Sequence, residues 1–209
     1  ADSWTIPSGE LNATAAIKID LNKIEELGSL YDDYVLPLRI TSSTGEPMGQ
    51  NKYTKVLAHI GFKNDYSGTY SGKGIITQQG TTYTTEITST QLYAINNNIC
   101  YMFVGEKTRA NTPDYLNYVV EIERDEWGGI TLSSEVGSLE FKSYNSKLSR
   151  KYTYNYNDQR YYTEITTVEL AYEYLDKTQS EDLRMTFEGS FSMSRDVLRV
   201  EYPNVDVEE

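Results

Sequence analysis

The chain has one cysteine, Cys100, and one histidine, His59, among its 209 residues. A single cysteine excludes both a disulfide within the chain and a cysteine-based zinc site. A single imidazole excludes a histidine-rich metal site, and any catalytic triad would have to use His59. Cys100 lies in the apolar stretch 99–104, where a free thiol behaves as a small buried hydrophobe. The sequence therefore indicates neither a metal nor another cofactor.

Positive charge and long apolar runs are also scarce. Nineteen Lys and Arg residues face 31 Asp and Glu residues, which gives a net charge of −12. Nucleic acids and anionic lipid surfaces both need a basic footprint on their partner, so this charge argues against either. No apolar run approaches the roughly 18 residues of a membrane-spanning helix, and no signal peptide is visible. The first three residues read as a trimmed start, from which an export signal has been removed.

Tyrosine is the abundant residue type, with 19 copies, many of them two positions apart. The clearest run is Tyr152, Tyr154 and Tyr156. A spacing of two places side chains on one face of a β-strand. A tyrosine on a strand offers an apolar ring with a polar tip, so it suits either a core or a wet ligand surface. The pattern predicts an all-β protein.

From Gly68 onward, short alternating segments follow one another, separated by turns rich in Gly, Asn and Asp. The candidate strands are 68–77, 81–89, 91–95, 99–104, 117–124, 129–134, 138–143, 148–156, 160–174 and 183–193. Closely spaced strands without helices between them are typical of an antiparallel meander, and eight or more can close into a barrel. We predict a β-barrel over residues 63–209 and a partial β-sandwich over residues 1–62. Pro37 within the strand pattern 34–40 predicts an edge strand, because proline cannot donate to a ladder.

Parity divides the tyrosines of the C-terminal half into two groups. In the segment 160–174, one mostly apolar face should point inward, and it carries Tyr162, Glu164, Thr166, Val168, Leu170, Tyr172 and Tyr174. On the preceding segment, Tyr152, Tyr154 and Tyr156 share a face whose direction stays open. If the two segments form a hairpin around residues 157–159, the two tyrosine sets meet across the ladder.

Two interpretations of these aromatic residues remain. They form the wall of a barrel, or they form a stacking surface for a sugar, whose C–H face suits a ring and whose hydroxyls suit phenol tips. Trp127 lies in a turn beside acidic residues and two glycines, where full burial is not expected. The candidate ligand-binding residues are therefore Trp127, Tyr152, Tyr154 and Tyr156.

Carboxylates are the remaining candidates for catalysis. Glycoside hydrolysis needs two of them about 5–10 Å apart. Glu169 and Glu173 share one face of the segment 160–174, whereas Glu164 falls on the other. The simpler interpretation of Glu169 and Glu173 is the solvated outer face of a strand. Short acidic turns near residues 32, 64 and 114 lack the spacing of a calcium loop. We predict that the protein is not an enzyme.

Two parts of the sequence together resemble a known family. YVLPLRITSSTG (residues 34–45), after TIPSGE (residues 5–10), resembles the end of an N-terminal immunoglobulin-like domain in surface lipoproteins of Bacteroides-type gut bacteria. YSGTYSGKG (residues 66–74) resembles the start of the lipocalin-like C-terminal domain that follows it there. The resemblance implies export to the extracellular face of the outer membrane and a lipid anchor on an N-terminal cysteine outside this sequence. It transfers no catalytic residues, and many members sit beside polysaccharide-uptake genes.

These observations favour a non-catalytic cell-surface protein that binds a glycan or another extracellular ligand, in connection with polysaccharide capture. One alternative is a glycoside-processing enzyme that uses two carboxylates. Another is an adhesive or structural surface subunit, in which an incomplete first sheet accepts a strand from a partner. In each case we expect no nucleic-acid partner, and contact with the membrane only through the lipid anchor.

Overall fold

The computed structural model of the chain describes residues 34–41, 54–125, 127–178 and 181–208, together with Asp20 and Lys23. The chain divides into two compact units, residues 1–32 and 33–209, and the strands reported below belong to the second. Most of the predicted immunoglobulin-like domain, residues 1–62, lies outside the described residues. Of that segment, the structure describes two strands.

The described part of the second unit is nearly all β-structure. Its strands are β1 (Tyr34–Arg39), β2 (Lys55–Ile60), β3 (Gly68–Gln78), β4 (Thr84–Ala94), β5 (Ile99–Phe103), β6 (Val119–Arg124), β7 (Ile130–Ser133), β8 (Lys142–Ser143), β9 (Lys147–Tyr154), β10 (Tyr161–Asp176), β11 (Leu183–Leu198) and β12 (Val207–Glu208). Three single-turn 3-10 helices accompany them: Tyr115–Tyr118, Gly137–Leu139 and Arg199–Glu201. The all-β prediction is confirmed.

Two of the predicted strand assignments are wrong. The segments 81–89 and 91–95 form the single strand β4, along which the register with β3 shifts between Ser71 and Gly74 and the alternation of β4 is interrupted. As a result Ile87 and Leu92, five residues apart, are both buried. The predicted strand 138–143 is a 3-10 turn followed by the two-residue β8, since Glu140 takes a left-handed conformation between them.

The strands form two sheets. β1 and β2 make an antiparallel pair, and among the described residues β1, which carries Pro37, pairs on one side only. The other ten strands make one sheet in the order β12-β9-β10-β11-β3-β4-β5-β6-β7, with β8 also paired to β10. All of its pairs are antiparallel except β12 with β9. Within the described residues, no hydrogen-bonded pairing joins β7 to β12, so the pairing leaves the sheet open where the sequence predicts a closed barrel.

The inner face of β10 follows the predicted parity. Glu164, Thr166, Val168, Leu170, Tyr172 and Tyr174 are all buried, and the intervening residues up to Ala171 are more exposed. On the paired strand β11, Met185, Phe187 and Phe191 face the same core. The large sheet therefore buries one of its faces, and the apolar side chains that alternate along its strands determine which face is buried.

Aromatic rings fill this core. The Tyr172 and Phe187 rings stack with their centroids 4.7 Å apart, and Phe191 lies parallel to Phe187. The stack rests on Gly74 and Gly189, where a Cβ atom would come within 2.6 Å of a phenylalanine ring. The buried Tyr172 hydroxyl accepts a hydrogen bond from the Gly105 backbone N–H at 2.9 Å, so its polar tip is satisfied. Tyr172 and Tyr174 are thus core residues, as the wall interpretation predicts.

The large sheet has two ends that carry different chemistry. At the first, β6, β9 and β11 finish and β3, β7 and β10 begin. We call this the aromatic end, and it includes the turns 125–129 and 155–160. At the other, β3, β5 and β10 finish and β4, β6 and β11 begin. We call this the groove end.

Candidate functional site

Three of the four predicted ligand-binding residues expose their rings at the aromatic end. Trp127, in the β6–β7 turn, is 94% exposed, and Tyr156, in the β9–β10 turn, is 86% exposed. Tyr154, the last residue of β9, is 41% exposed. Large aromatic side chains in water commonly mark interaction surfaces when several share a region. The fold brings these three to one end because both turns lie there.

Tyr154 belongs to a small platform with an arginine. Its ring faces that of Tyr162 on β10 at 6.0 Å. The Arg199 guanidinium lies 5.1 Å from the Tyr154 ring centre and 4.7 Å from that of Tyr162. Arg199 Nε donates to the Tyr161 carbonyl, which fixes the guanidinium plane. Among the described residues, no carboxylate pairs with Arg199.

Tyr152 has a different environment from the other three. It is half-buried, its ring lies 5.8 Å from that of Tyr202, and it stands opposite Glu164 across the β9–β10 ladder. Burial raises the pKa of the Tyr152 hydroxyl, and the charge of Glu164 adds to this. Tyr152 therefore borders a polar cluster beneath the exposed rings.

This cluster joins two carboxylates and three arginines from distant parts of the chain. Asp65 Oδ2 accepts hydrogen bonds from Arg124 at 3.1 Å and from Arg150 at 2.9 Å. The fully buried Glu164 Oε1 accepts from Arg195 Nε at 2.9 Å, and Arg150 Nε lies 3.6 Å from the same oxygen. We call these five residues the charged cluster. It ties β6, β9, β10 and β11 to the segment before β3.

The electrostatics of the charged cluster keep the Asp65 carboxylate ionised. Burial alone raises the pKa of Asp65, but the hydrogen bonds and charges of Arg150 and Arg124 outweigh burial and lower that pKa. The Arg124 guanidinium also lies 5.3 Å from the buried Tyr66 ring. The cluster thus joins four strands and the segment before β3 by ion pairs.

Sequence reasoning missed the charged cluster, although one signal for it was present. Glu164 falls on the inward face of its strand, and a buried carboxylate needs a positive partner. Arg195 occupies the matching position across the ladder on β11. Asp65, treated as a solvated acidic turn, is instead the ligand of two arginines.

The carboxylates considered for catalysis do not form an acid–base pair. Glu169 is half-buried and forms an ion pair with Lys147 at 3.1 Å. Glu173 is buried, and a hydrogen bond from the Tyr144 hydroxyl, with Arg184 and Lys142 adding to it, lowers its pKa to about 2. A general acid needs a pKa near the working pH, whereas Glu173 stays ionised. As parity predicts, Glu164 lies on the opposite face from Glu169.

His59 lies on β2, opposite Val35 on β1, and its side chain is exposed. Over the described ranges, no cluster of three or more His, Cys, Asp or Glu residues has the arrangement of a metal site. In the same part of the chain, no helix combines the length and apolar character needed to cross a bilayer.

Comparison with known families matches two domain models. A model of a C-terminal domain matches residues 54–192, and a model of an N-terminal domain matches residues 1–47. The chain belongs to the family of this C-terminal domain. The matched residues include β3 to β10, the charged cluster apart from Arg195, and three of the exposed rings. No curated protein matches the sequence.

Several solved structures from Bacteroides share the fold at low identity. A protein of unknown function from Bacteroides ovatus has a TM-score of 0.66 and 18% identity, over 82% of this chain and 62% of that one. An auxiliary nutrient binding protein from Bacteroides thetaiotaomicron has a TM-score of 0.64 and 17% identity, over 79% of this chain and 58% of that one. A multidomain protein including DUF1735 from Bacteroides ovatus has a TM-score of 0.59 and 16% identity, over 69% of this chain and 62% of that one. The chain thus spans about 60% of the length of these relatives.

Proposed function

We propose that the protein is a non-catalytic binding protein of the bacterial cell surface whose ligand is a glycan captured as a nutrient. The observation that carries this proposal is the set of rings exposed at the aromatic end: Trp127, Tyr154 and Tyr156. The relative from Bacteroides thetaiotaomicron that is called an auxiliary nutrient binding protein supports a binding role. The engagement of Glu173 and Glu164 in ion pairs favours binding over carboxylate catalysis.

The chemistry of the aromatic end suits a saccharide. Exposed rings can cover the apolar C–H face of a sugar and release the water that hydrates both surfaces. Arg199, packed over the rings of Tyr154 and Tyr162, can donate from its terminal N–H groups to sugar hydroxyl oxygens. The charged cluster keeps this surface pre-organised, which limits the entropy lost on binding.

A glycan panel tests the binding role. Isothermal titration of the purified protein against plant, mucin and microbial polysaccharides should find at least one ligand. Trp127→Ala and Tyr156→Ala should each weaken that binding about tenfold or more, a loss of about 1.4 kcal/mol or more. Tyr83→Ala is the matched control, because Tyr83 is 59% exposed in the turn between β3 and β4, at the groove end. Failure to bind any glycan, or an equal loss in the control, would contradict the proposal.

The proposed absence of catalysis has its own measurement. Any glycan that binds should be recovered intact after prolonged incubation, as judged by chromatography of its fragments. Turnover by the wild type that disappears in Glu169→Gln would instead establish the carboxylate-dependent enzyme.

We also propose that the large sheet curls into a lipocalin-like barrel and that residues 1–62 are part of an immunoglobulin-like domain. β8 pairs with β10 and also contacts β7, so it brings the two sides of the sheet together. A crystal structure with β7 packed against β8 and β9 around a continuous core would support the barrel. A flat sheet open between β7 and β9 would contradict it.

The proposed cellular location is the outer membrane, facing outward, with the natural protein attached through a lipidated cysteine. Metabolic labelling of the full-length natural protein with a fatty acid should modify it. Protease added to intact cells should then degrade it. Protection from protease until the cells are lysed would place the protein inside.

A further inference from the structure

A second concave surface lies at the groove end, far along the strands from the exposed rings. It is a groove of about 290 Å³ between two 3-10 helices, Tyr115–Tyr118 and Gly137–Leu139, and the chain that leaves β10. This volume is at the lower limit of small-molecule pockets, which start at about 300 Å³. Its floor is apolar, formed by the buried side chains of Tyr118, Leu139 and Leu175.

The rim of the groove carries polar groups that the fold does not use. The Asp114 carboxylate, the Asn117 amide and the Ser138 hydroxyl all line it and are exposed. Within the described residues, none of these three side chains has a hydrogen-bond or ion-pair partner, and Asp114 does not cap the helix that follows it. Together they offer acceptors and donors around one apolar floor.

The backbone beside the groove adopts an uncommon conformation at two points. Asp114 and Glu140 are the non-glycine residues of the described chain with positive φ, at 53° and 46°. Asp114 lines the groove, and Glu140 directly follows Leu139 of its floor. Such conformations persist when the surrounding structure enforces them, and they concentrate at binding sites.

The wall behind the groove is rigid. The Tyr118 hydroxyl accepts a hydrogen bond from the Lys177 backbone N–H at 3.1 Å. Lys107 and Asp176 form an ion pair of 2.7 Å whose side chains are both almost fully buried, and Lys107 Nζ also donates to the Thr178 hydroxyl at 3.0 Å. Because these contacts already order the wall of the groove, ligand binding does not have to supply the free energy for ordering it.

We propose that this groove is a second binding site, for a single neutral sugar ring or a polyol of similar size. Hydroxyl groups match the rim, because each can donate to Asp114 and accept from Asn117 or Ser138. The floor of Tyr118, Leu139 and Leu175 suits the C–H face of the same molecule. Lys177 also lines the groove, but its amine pairs with Asp182 at 3.7 Å. Asp114 and the net charge of −12 therefore disfavour an anionic ligand.

The test is a titration of the 15N-labelled chain with glucose, galactose, mannose and N-acetylglucosamine, each up to tens of millimolar. At least one should shift the amide signals of residues 114–118 and 137–139 in a saturable way. Ser138→Tyr, which fills the groove from an exposed position, should abolish those shifts, and Asn117→Ala should weaken the binding at least fivefold. Ser133→Tyr adds the same ring at an exposed position on β7 and should leave the binding unchanged.

This site is independent of the aromatic end, so Trp127→Ala should not alter the titration. The proposal is overturned if none of the four sugars binds, or if the shifts map elsewhere on the chain. It is equally overturned if Asn117→Ala, with a wild-type circular dichroism spectrum, binds as the wild type does. That variant decides the outcome even if Ser138→Tyr fails to fold.

Discussion

Replacing the buried Glu164 by glutamine should lower the free energy of unfolding by about 3–5 kcal/mol, the usual cost of removing one partner of a buried ion pair. The carboxylate is fully buried; its Oε1 accepts a hydrogen bond from Arg195 Nε at 2.9 Å and lies 2.8 Å from Arg195 Nη2. Glutamine keeps the volume but removes the charge, so Arg195 loses its carboxylate. Because the Arg150 and Arg195 side chains are 20% and 31% exposed, water partly solvates them. We therefore expect the lower part of the range, about 3 kcal/mol.

The measurement is urea unfolding followed by tyrosine and tryptophan fluorescence and by circular dichroism. With a urea dependence of about 2 kcal/mol per molar, the midpoint should fall by about 1.5 M while the slope stays constant. A changed slope would indicate that the variant alters the folded or unfolded state itself.

The control lies on the same strand. Glu169 is 45% exposed and pairs with Lys147 at 3.1 Å, so Glu169→Gln should cost no more than about 1 kcal/mol. A double variant, Glu164→Gln with Arg195→Met, should lose less than the sum of its single variants, because the two residues interact. Equal losses at Glu164 and Glu169, or additive losses in the double variant, would refute the role assigned to the buried pair.

Three further predictions address packing, acid stability and thiol reactivity. Gly72→Ala should lower the free energy of unfolding by about 1–3 kcal/mol in the same urea assay, because its Cβ atom would lie 2.1 Å from a backbone oxygen of β11. At Gly61 an added Cβ atom would meet no atom within 4 Å, so Gly61→Ala should be neutral. Equal effects of the two variants would contradict the close packing at Gly72. The pKa of Glu173 is lowered to about 2, chiefly by the hydrogen bond from Tyr144. Its ionised carboxylate should therefore contribute its full stabilisation of the fold above pH 4.5, the ordinary pKa, and this contribution should be lost as the pH falls towards 2. The stability gap between wild type and Glu173→Gln should therefore narrow between pH 6 and pH 3, and a constant gap would count against the assignment. Burial raises the pKa of the Cys100 thiol to about 11, so Cys100 should react with a disulfide reagent at pH 8 only after unfolding. Rapid labelling of the native protein would contradict this prediction.

The alternation of β10 shows what could be predicted from the sequence. Its inner residues from Glu164 to Tyr174 are buried as parity requires, since a strand places every second side chain on the same face. The same rule failed at β4, where a register shift against β3 accompanies the burial of both Ile87 and Leu92. Such a register shift depends on how two strands pair, so the sequence of either strand alone does not reveal it.

The candidate site divides in the same way. Turn position selected Trp127, which is exposed as expected. Tyr156 was selected from a predicted strand whose facing stayed open, and the structure places it in the turn after β9, where it is exposed. Tyr152 looks identical to Tyr154 in the sequence, but it stands beside Glu164 and Tyr202 and is half-buried. Its neighbours come from other strands, so its environment follows from the pairing.

The sequence by itself determined that this is an all-β protein, that one face of its longest strand is core, and that Trp127 stands in a turn. These properties follow from local spacing and composition, which need no partner. Only the tertiary structure decided that Asp65 holds Arg150, 85 residues away, that Arg199 packs over two tyrosine rings, and that a groove forms between two 3-10 turns. Contacts between residues so distant depend on strand order and register, and the sequence does not carry these in any local pattern.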